Sequence, residues 1–129
     1  MKDLDAILGL DATRAYESEL IRGAIEREQC YVVSEADDIL GFMIFNYHFY
    51  QHGFIELLYI RESSRGAGIG SSLVDYAAQL CETEKLFTST QQSNIPMQIL
   101  LQSNSFEATG IIHNLEENDP EIVYFKQVK

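Results

Sequence analysis

"RGAGIG", residues 65–70, separates an apolar strand-like run, "FIELLYI" (residues 54–60), from a helical pattern, "SSLVDYAAQLCE" (residues 71–82). Gly66, Gly68 and Gly70 alternate at this junction, so successive backbone N–H groups can point outward beside the positive end of a helix dipole. Arg65 adds a fixed charge that can contact phosphate oxygens in a forked manner. The stretch therefore predicts a binding site for an anionic group such as a phosphate.

Three nucleotide-type patterns can be compared with this stretch. A P-loop requires Gly-x-x-x-x-Gly-Lys-Ser/Thr, and no lysine lies between Lys2 and Lys85. A dinucleotide fingerprint that starts at Gly66 would need its third glycine at Ser71, and it would need preceding parallel strands. Arg-x-x-Gly-x-Gly is matched in full. A structural turn remains the alternative for the stretch taken alone.

The segment before residue 65 predicts helices followed by antiparallel strands. "LDAILGL" (residues 4–10) and the pattern after Thr13, which could cap a second helix, have helical spacing. "CYVVSE" (30–35), "ILGFMIFNYHFY" (39–50) and "FIELLYI" read as strands joined by the turns "EADD" (35–38) and "QHG" (51–53). Residues 30–60 are thus predicted to form an antiparallel meander.

After the glycine stretch, the pattern indicates a β-α-β crossover. The helix over residues 71–82 leads to "LFTSTQQ" (86–92), predicted as a strand parallel to residues 54–60. A second helix, "NIPMQILLQSN" (94–104), is followed by the strands "FEATGIIHNL" (106–115) and "EIVYFKQV" (121–128). We therefore expect one α+β domain over residues 1–129, with helices on both faces of a mixed sheet.

Composition excludes several classes of protein. The formal net charge of -11, with nine Lys and Arg spread along the chain, argues against binding to nucleic acid or an anionic membrane. The chain has no apolar run of about 20 residues and no signal-peptide pattern, which predicts a cytoplasmic protein. Cys30 and Cys81 are expected to be reduced core or half-core residues, and the histidine spacing predicts no metal site.

The segment "IELLYIRESSRGAGIG" (55–70), with this order of elements, resembles the GNAT superfamily of acyl-CoA N-acyltransferases and, within it, the diamine acetyltransferase branch. The resemblance covers almost the entire chain. It implies direct transfer of an acetyl group from acetyl-CoA to a primary amine of a small molecule or peptide, with CoA as product. The family's usual first strand has no counterpart before "KDLDAIL", so either the sheet lacks that edge strand or the chain is shortened relative to its relatives. Because a partner subunit could cover a missing edge, a homodimer is an expectation.

The resemblance also implies roles for individual residues. Glu56, the only carboxylate in its strand, would be the general base and would act through water; a solvent-facing strand residue is the alternative. Asn94 would face the cofactor, or it is an ordinary helix N-cap. The pantetheine arm would contact Leu58, Tyr59 and Ile60, and the pyrophosphate would contact Arg65, Gly66, Ala67, Gly68, Ile69, Gly70 and Ser71.

Two features bear on chemistry and substrate. Leu101 stands where the family commonly has a tyrosine acid, so Tyr59, Tyr124 or a water would be the proton donor, or the thiolate leaves unassisted, or the domain binds acyl-CoA without catalysis. The second feature is an acidic segment between the last two strands, which favours a cationic amine or serves only solubility. Its acidic residues are Glu116, Glu117, Asp119 and Glu121.

Overall fold

The computed structural model describes residues 18–129, which fall into two compact units. One unit comprises residues 18–45 and 57–73, and the other comprises residues 46–56 and 74–129. The helices are α1 (Ser18–Glu26), α2 (Ile69–Leu80) and α3 (Ile95–Ser103). The strands are β1 (Cys30–Glu35), β2 (Asp38–Phe49), β3 (His52–Ile60), β4 (Lys85–Gln91), β5 (Glu107–Ile112) and β6 (Glu121–Gln127).

The strands form one six-stranded mixed sheet in the order β1-β2-β3-β4-β6-β5, which confirms the predicted fold class. Three earlier predictions fall on residues 1–17 and so lie outside the described residues. These are the first helix, the cap at Thr13 and the absence of a first strand. Within residues 18–129, no helix has the length and apolar character needed to cross a membrane.

The predicted meander is confirmed over β1 to β3. β1 pairs antiparallel with β2 from Cys30↔Ile44 to Glu35↔Asp38. β2 and β3 are neighbours joined by only two residues, Tyr50 and Gln51, with φ angles of 52° and 67°. Left-handed backbone at both positions is typical of a type I′ hairpin turn, which makes the two strands antiparallel. The turn therefore lies one residue earlier than the predicted "QHG".

The β-α-β crossover is also confirmed. α2 connects β3 to β4, and the two strands pair in parallel from Gly53↔Leu86 to Ile55↔Thr88. This ladder ends at Ile55, while β3 itself continues to Ile60. β4 and β5 each pair antiparallel with β6. β5 is shorter than predicted because the chain turns after Ile112, where Asn114 has a left-handed φ of 75°.

Each unit has its own buried side chains. In the first unit, Ile21 and Ala24 of α1 pack with Ile39, Phe42 and Ile44 of β2. In the second unit, Leu101 is 1% exposed, as expected of a packing residue. Cys81 is buried and Cys30 is half-buried, as predicted, and neither forms a disulfide. The other buried residues of the second unit include Val74, Ala77, Leu86, Phe106, Val123 and Tyr124.

Candidate functional site

The glycine stretch lies in the first unit, immediately after β3. Directly after β3, the Arg61 N–H donates a hydrogen bond to the Leu40 carbonyl at 2.8 Å. A 3-10 turn over Glu62–Ser64 follows. Gly66 and Gly68 both have φ of 83°, a left-handed conformation that L side chains rarely adopt. A Cβ placed on either glycine would meet no heavy atom within 4 Å. The backbone conformation therefore favours glycine at these positions, and the space beside the loop backbone is open.

α2 presents backbone donors at the end of this loop. The Ser72 N–H donates to the Gly68 carbonyl at 3.0 Å, which is the first i→i−4 bond of the helix. By helix geometry, the N–H groups of Ile69 and Gly70 in the first turn have no intrahelical acceptor. No acidic residue lies in that turn. The helix therefore begins with outward-pointing amides and an uncompensated positive dipole end, which suits an anion.

Arg65 is held in place beside the loop. Its Nε donates to the Ile60 carbonyl at 3.0 Å, and its guanidinium carbon lies 5.7 Å from the centroid of the Tyr59 ring. The hydrogen bond to the Ile60 carbonyl uses one N–H of the guanidinium, and the Tyr59 ring packs against the guanidinium. The terminal nitrogens of this exposed side chain can then make a forked contact with phosphate oxygens.

The backbone at the end of β3 has a defined direction. Because Arg61 donates to Leu40 on β2, strand alternation points the backbone groups of Ile60 and Leu58 away from β2. The bond from Arg65 to the Ile60 carbonyl agrees with this direction. The backbone groups of Leu58 therefore point to the side on which a ligand could lie along the strand, and contact with the pantetheine arm stays a prediction.

Glu56 lies on β3 within the second unit and makes two side-chain interactions. Its Oε1 accepts a hydrogen bond from Asn46 Nδ2 at 2.7 Å and lies 3.9 Å from His48 Nδ1. The Glu56 side chain is 29% exposed, so it is neither a freely solvated strand residue nor a core residue. Sequence reasoning missed both partners. Asn46 could have been singled out from the sequence, because it is a polar residue directly after the apolar run "GFMIF".

The structure distributes the predicted residues over the two units. Leu58, Tyr59, Ile60 and residues 65–71 belong to the first unit, and Glu56, Asn94 and Tyr124 belong to the second. Tyr124 is 2% exposed, whereas Tyr59 is half-buried, with its ring centroid 5.9 Å from that of Phe42. Of the two tyrosines, Tyr59 has the more accessible hydroxyl-bearing ring. Their role as proton donors stays a prediction.

Asn94 is the N-cap of α3. Its Oδ1 accepts a hydrogen bond from the Met97 N–H at 3.2 Å, and Pro96 occupies the first turn, where it loses no helical bond. The capping interpretation is confirmed. Because capping uses only the side-chain oxygen, the amide nitrogen is still available to a ligand, and contact with the cofactor stays a prediction.

Removal of this cap has a predictable effect on stability. We expect Asn94→Ala to lower the free energy of unfolding by about 1 kcal/mol, because the Met97 N–H loses its acceptor. Asn94→Ser keeps an oxygen at the cap and should restore most of the loss. Urea unfolding followed by circular dichroism measures both variants. Equal losses in the two variants would contradict the capping role.

The acidic segment between β5 and β6 is partly structural. Asp119 accepts hydrogen bonds from the Ser93 N–H at 2.9 Å and the Ser93 Oγ at 2.6 Å. Glu121 Oε2 accepts from Ser89 Oγ at 2.8 Å. These bonds hold the segment against the end of β4 and the loop that follows it. Glu116 and Glu117 are solvent-exposed, so they are the pair best placed to attract a cation.

Comparison with known proteins identifies the family. The sequence model of the Acetyltransferase (GNAT) family matches residues 5–106. An acetyltransferase of the GNAT family from Bacillus cereus ATCC 10987 is 32% identical, with a TM-score of 0.89 over 98% of this chain and 92% of that one. The chain belongs to the GNAT acetyltransferase family. It is therefore an enzyme that uses acetyl-CoA.

More distant acetyltransferase structures share the fold. The ribosomal-protein-S18-alanine N-acetyltransferase from Escherichia coli is 14% identical, with a TM-score of 0.81 over 100% of this chain and 90% of that one. A Bacillus anthracis protein solved in complex with acetyl coenzyme A is 18% identical, with a TM-score of 0.70 over 76% of this chain and 62% of that one. No curated protein matches the sequence significantly.

The loop of this GNAT enzyme fits the pyrophosphate of acetyl-CoA. Two left-handed glycines border open space, the first turn of α2 offers amides, and Arg65 supplies a held positive charge. The chain as a whole has a net charge of -11, which would repel an anion. The hydrogen-bond donors of this loop are neutral or positive, so they suit a doubly charged diphosphate. The residues that would hold the cofactor are thus present in the described part of the chain.

Proposed function

We propose that this GNAT enzyme transfers the acetyl group of acetyl-CoA directly to a primary amine of a small molecule or peptide, with Glu56 as the general base. The observation that carries the proposal is the Glu56 carboxylate, which is part-buried and held by Asn46 at 2.7 Å. A carboxylate fixed in one orientation can accept a proton at a defined place, which a freely solvated side chain cannot do as efficiently.

Each group has a separate role in the proposed acetyl transfer. Acetyl-CoA supplies the activated acetyl group as a thioester. A protonated amine has no lone pair for attack on that group, so Glu56 removes a proton from the amine, through a bridging water. The loop from Arg65 to Ser71 binds the pyrophosphate, and the backbone of Leu58 aligns the pantetheine arm. Tyr59, Ile60 and Asn94 add further contacts to the cofactor.

The proposal needs no phenol at position 101. Leu101 is a buried packing residue and cannot donate a proton. A thiol with an ordinary pKa near 8.5 is a good leaving group at neutral pH, so the thiolate can depart without an acid. Tyr59 or a water is the next candidate donor, because Tyr124 is only 2% exposed.

The acceptor is proposed at the level of an amine class. The motif in residues 55–70 favours the diamine acetyltransferase branch, and the exposed Glu116 and Glu117 favour a cationic amine. A peptide N-terminus is the other candidate, because the Escherichia coli neighbour is an alanine N-acetyltransferase of a ribosomal protein. We also propose a cytoplasmic location and a homodimer.

The test is release of free CoA thiol from acetyl-CoA, followed with a thiol reagent. Polyamines, amino acids, aminosugars and short peptides are each added as acceptor. We expect release that depends on the amine, and mass spectrometry of the product should show one added acetyl group. Tight binding of acetyl-CoA with no amine-dependent release across the panel would favour the alternative function, a non-catalytic acyl-CoA-binding domain.

A further inference from the structure

Three side chains of the β2–β3 hairpin form a connected polar cluster in the second unit: Asn46, His48 and Glu56. Asn46 Nδ2 donates to Glu56 Oε1 at 2.7 Å, and Asn46 Oδ1 accepts from the His48 backbone N–H at 3.0 Å. His48 Nδ1 lies 3.9 Å from the same Glu56 oxygen. One carboxylate oxygen is therefore shared by a buried amide and an exposed imidazole.

The orientation of the Asn46 amide follows from its two bonds. The His48 N–H can only donate, so the atom that faces it must be the amide oxygen, and the amide nitrogen must face Glu56. Asn46 is 2% exposed, and both of its polar atoms are used. A buried amide with both bonds made does not rotate freely, because rotation would leave buried groups unpaired. Asn46 thus fixes the Glu56 carboxylate in one position.

The proposed reaction produces a proton that must leave Glu56 in every turnover. A protonated amine plus acetyl-CoA gives an amide, a neutral CoA thiol and one proton, so each turnover must deliver one proton to solvent. The amine proton passes to Glu56, which cannot accept another until it has lost that proton. His48 is 56% exposed and lies within ion-pair distance of Glu56, which is 29% exposed.

We propose that His48 carries the proton from Glu56 to solvent and that Asn46 positions the carboxylate for this transfer. The inference rests on the proposed function of Glu56. In this proposal Asn46 and His48 both act through Glu56. Glu56 Oε1 is the oxygen beside both Asn46 and His48, so the amine proton is accepted there, through the bridging water, and passes from Oε1 to His48. The 3.9 Å gap closes by rotation of the exposed imidazole, which then accepts the proton on Nδ1 and releases one to water.

Two other ring side chains of the β2–β3 hairpin, Tyr47 and His52, contact groups outside the cluster. Tyr47 has its hydroxyl 3.4 Å from the Leu80 carbonyl and 3.2 Å from the Glu82 N–H. It therefore faces the C-terminal end of α2. His52, in the same hairpin, lies against Phe87 with ring centroids 5.4 Å apart. His48 is thus the imidazole that lies beside Glu56.

The test is His48→Ala assayed in dilute buffer. We expect kcat to fall by about tenfold, with the KM for acetyl-CoA unchanged, and added imidazole should restore the rate in proportion to its concentration. His113→Ala is the matched control, because His113 is also exposed but lies in the loop after β5. Wild-type kcat in His48→Ala would overturn the proposal, and so would a loss that imidazole does not restore.

Two further measurements separate this role from a structural one. In the free protein, the Hε1 resonance of His48 should shift in Glu56→Gln while that of His113 stays in place. An unmoved His48 resonance would also overturn the proposal. Asn46→Ser should lower kcat while the circular dichroism spectrum and the Kd for acetyl-CoA are kept. If Glu56→Gln itself keeps its turnover, the proposed base fails, which is a different result from a silent His48→Ala variant.

Discussion

Glu56→Gln is expected to lower kcat by about 10²- to 10⁴-fold while the Kd for acetyl-CoA stays unchanged. Glutamine has the size of glutamate and can accept the Asn46 hydrogen bond through its amide oxygen, but it cannot take a proton from the amine. The loop proposed to bind the cofactor comprises residues 65–71 and does not include any residue of the Glu56 cluster. Steady-state thiol release measures kcat, and isothermal titration calorimetry measures the Kd.

Glu107→Gln is the matched control for this prediction. Glu107 is an exposed glutamate of β5, so the same change of charge and shape is made away from the cluster. We expect wild-type kcat from this variant. A Glu56→Gln enzyme that keeps more than about a tenth of the wild-type kcat would show that another group accepts the amine proton, since general-base catalysis contributes at least about 100-fold.

Much of the fold follows from local patterns in the sequence. Strands β1 to β3, the crossover helix and the cap at Asn94 are each encoded within a few neighbouring residues, as apolar alternation, helical spacing or a capping side chain. The glycine-rich loop is predictable for the same reason. Its glycines, its arginine and the start of α2 are contiguous in the chain, so no long-range information is needed to bring them together.

The Glu56 cluster was less predictable because it depends on strand register. Asn46 and Glu56 come together across the β2–β3 hairpin, and which side chains meet there depends on how the two strands are aligned. Neither turn residue, Tyr50 or Gln51, is the asparagine or glycine that usually marks a type I′ turn, so the sequence placed the turn one residue too late. An error of one residue reverses the face on which every side chain lies, and the partners of Glu56 could not be assigned.

The acidic segment shows a second limit of sequence reasoning. Charge counting treats Glu116, Glu117, Asp119 and Glu121 as equivalent, yet Asp119 and Glu121 accept hydrogen bonds from Ser93 and Ser89. Those contacts join segments far apart in the chain. The attraction of a cationic amine therefore rests on two exposed glutamates rather than four acidic residues.

Gly68→Ala should weaken acetyl-CoA binding by at least about tenfold, which is about 1.4 kcal/mol of binding free energy. Gly68 has φ of 83°, and an L residue held in left-handed backbone costs about 1–2 kcal/mol, so the variant either strains the loop or changes its conformation. Either response changes the direction of the backbone N–H groups in the loop and the first turn of α2. In the unchanged conformation, the new Cβ projects into the open space that the pyrophosphate would fill.

Gly110→Ala separates this effect from a general cost of adding a methyl group. A Cβ on Gly110 also meets no atom within 4 Å, but its φ lies outside the left-handed range. We expect this variant to bind acetyl-CoA with the wild-type Kd and to unfold at the wild-type urea concentration or slightly above it. If Gly68→Ala loses stability but keeps its Kd, the loop would be a strained turn that does not hold the pyrophosphate. If it loses affinity while Gly110→Ala does not, the left-handed backbone at residue 68 is what shapes the phosphate site.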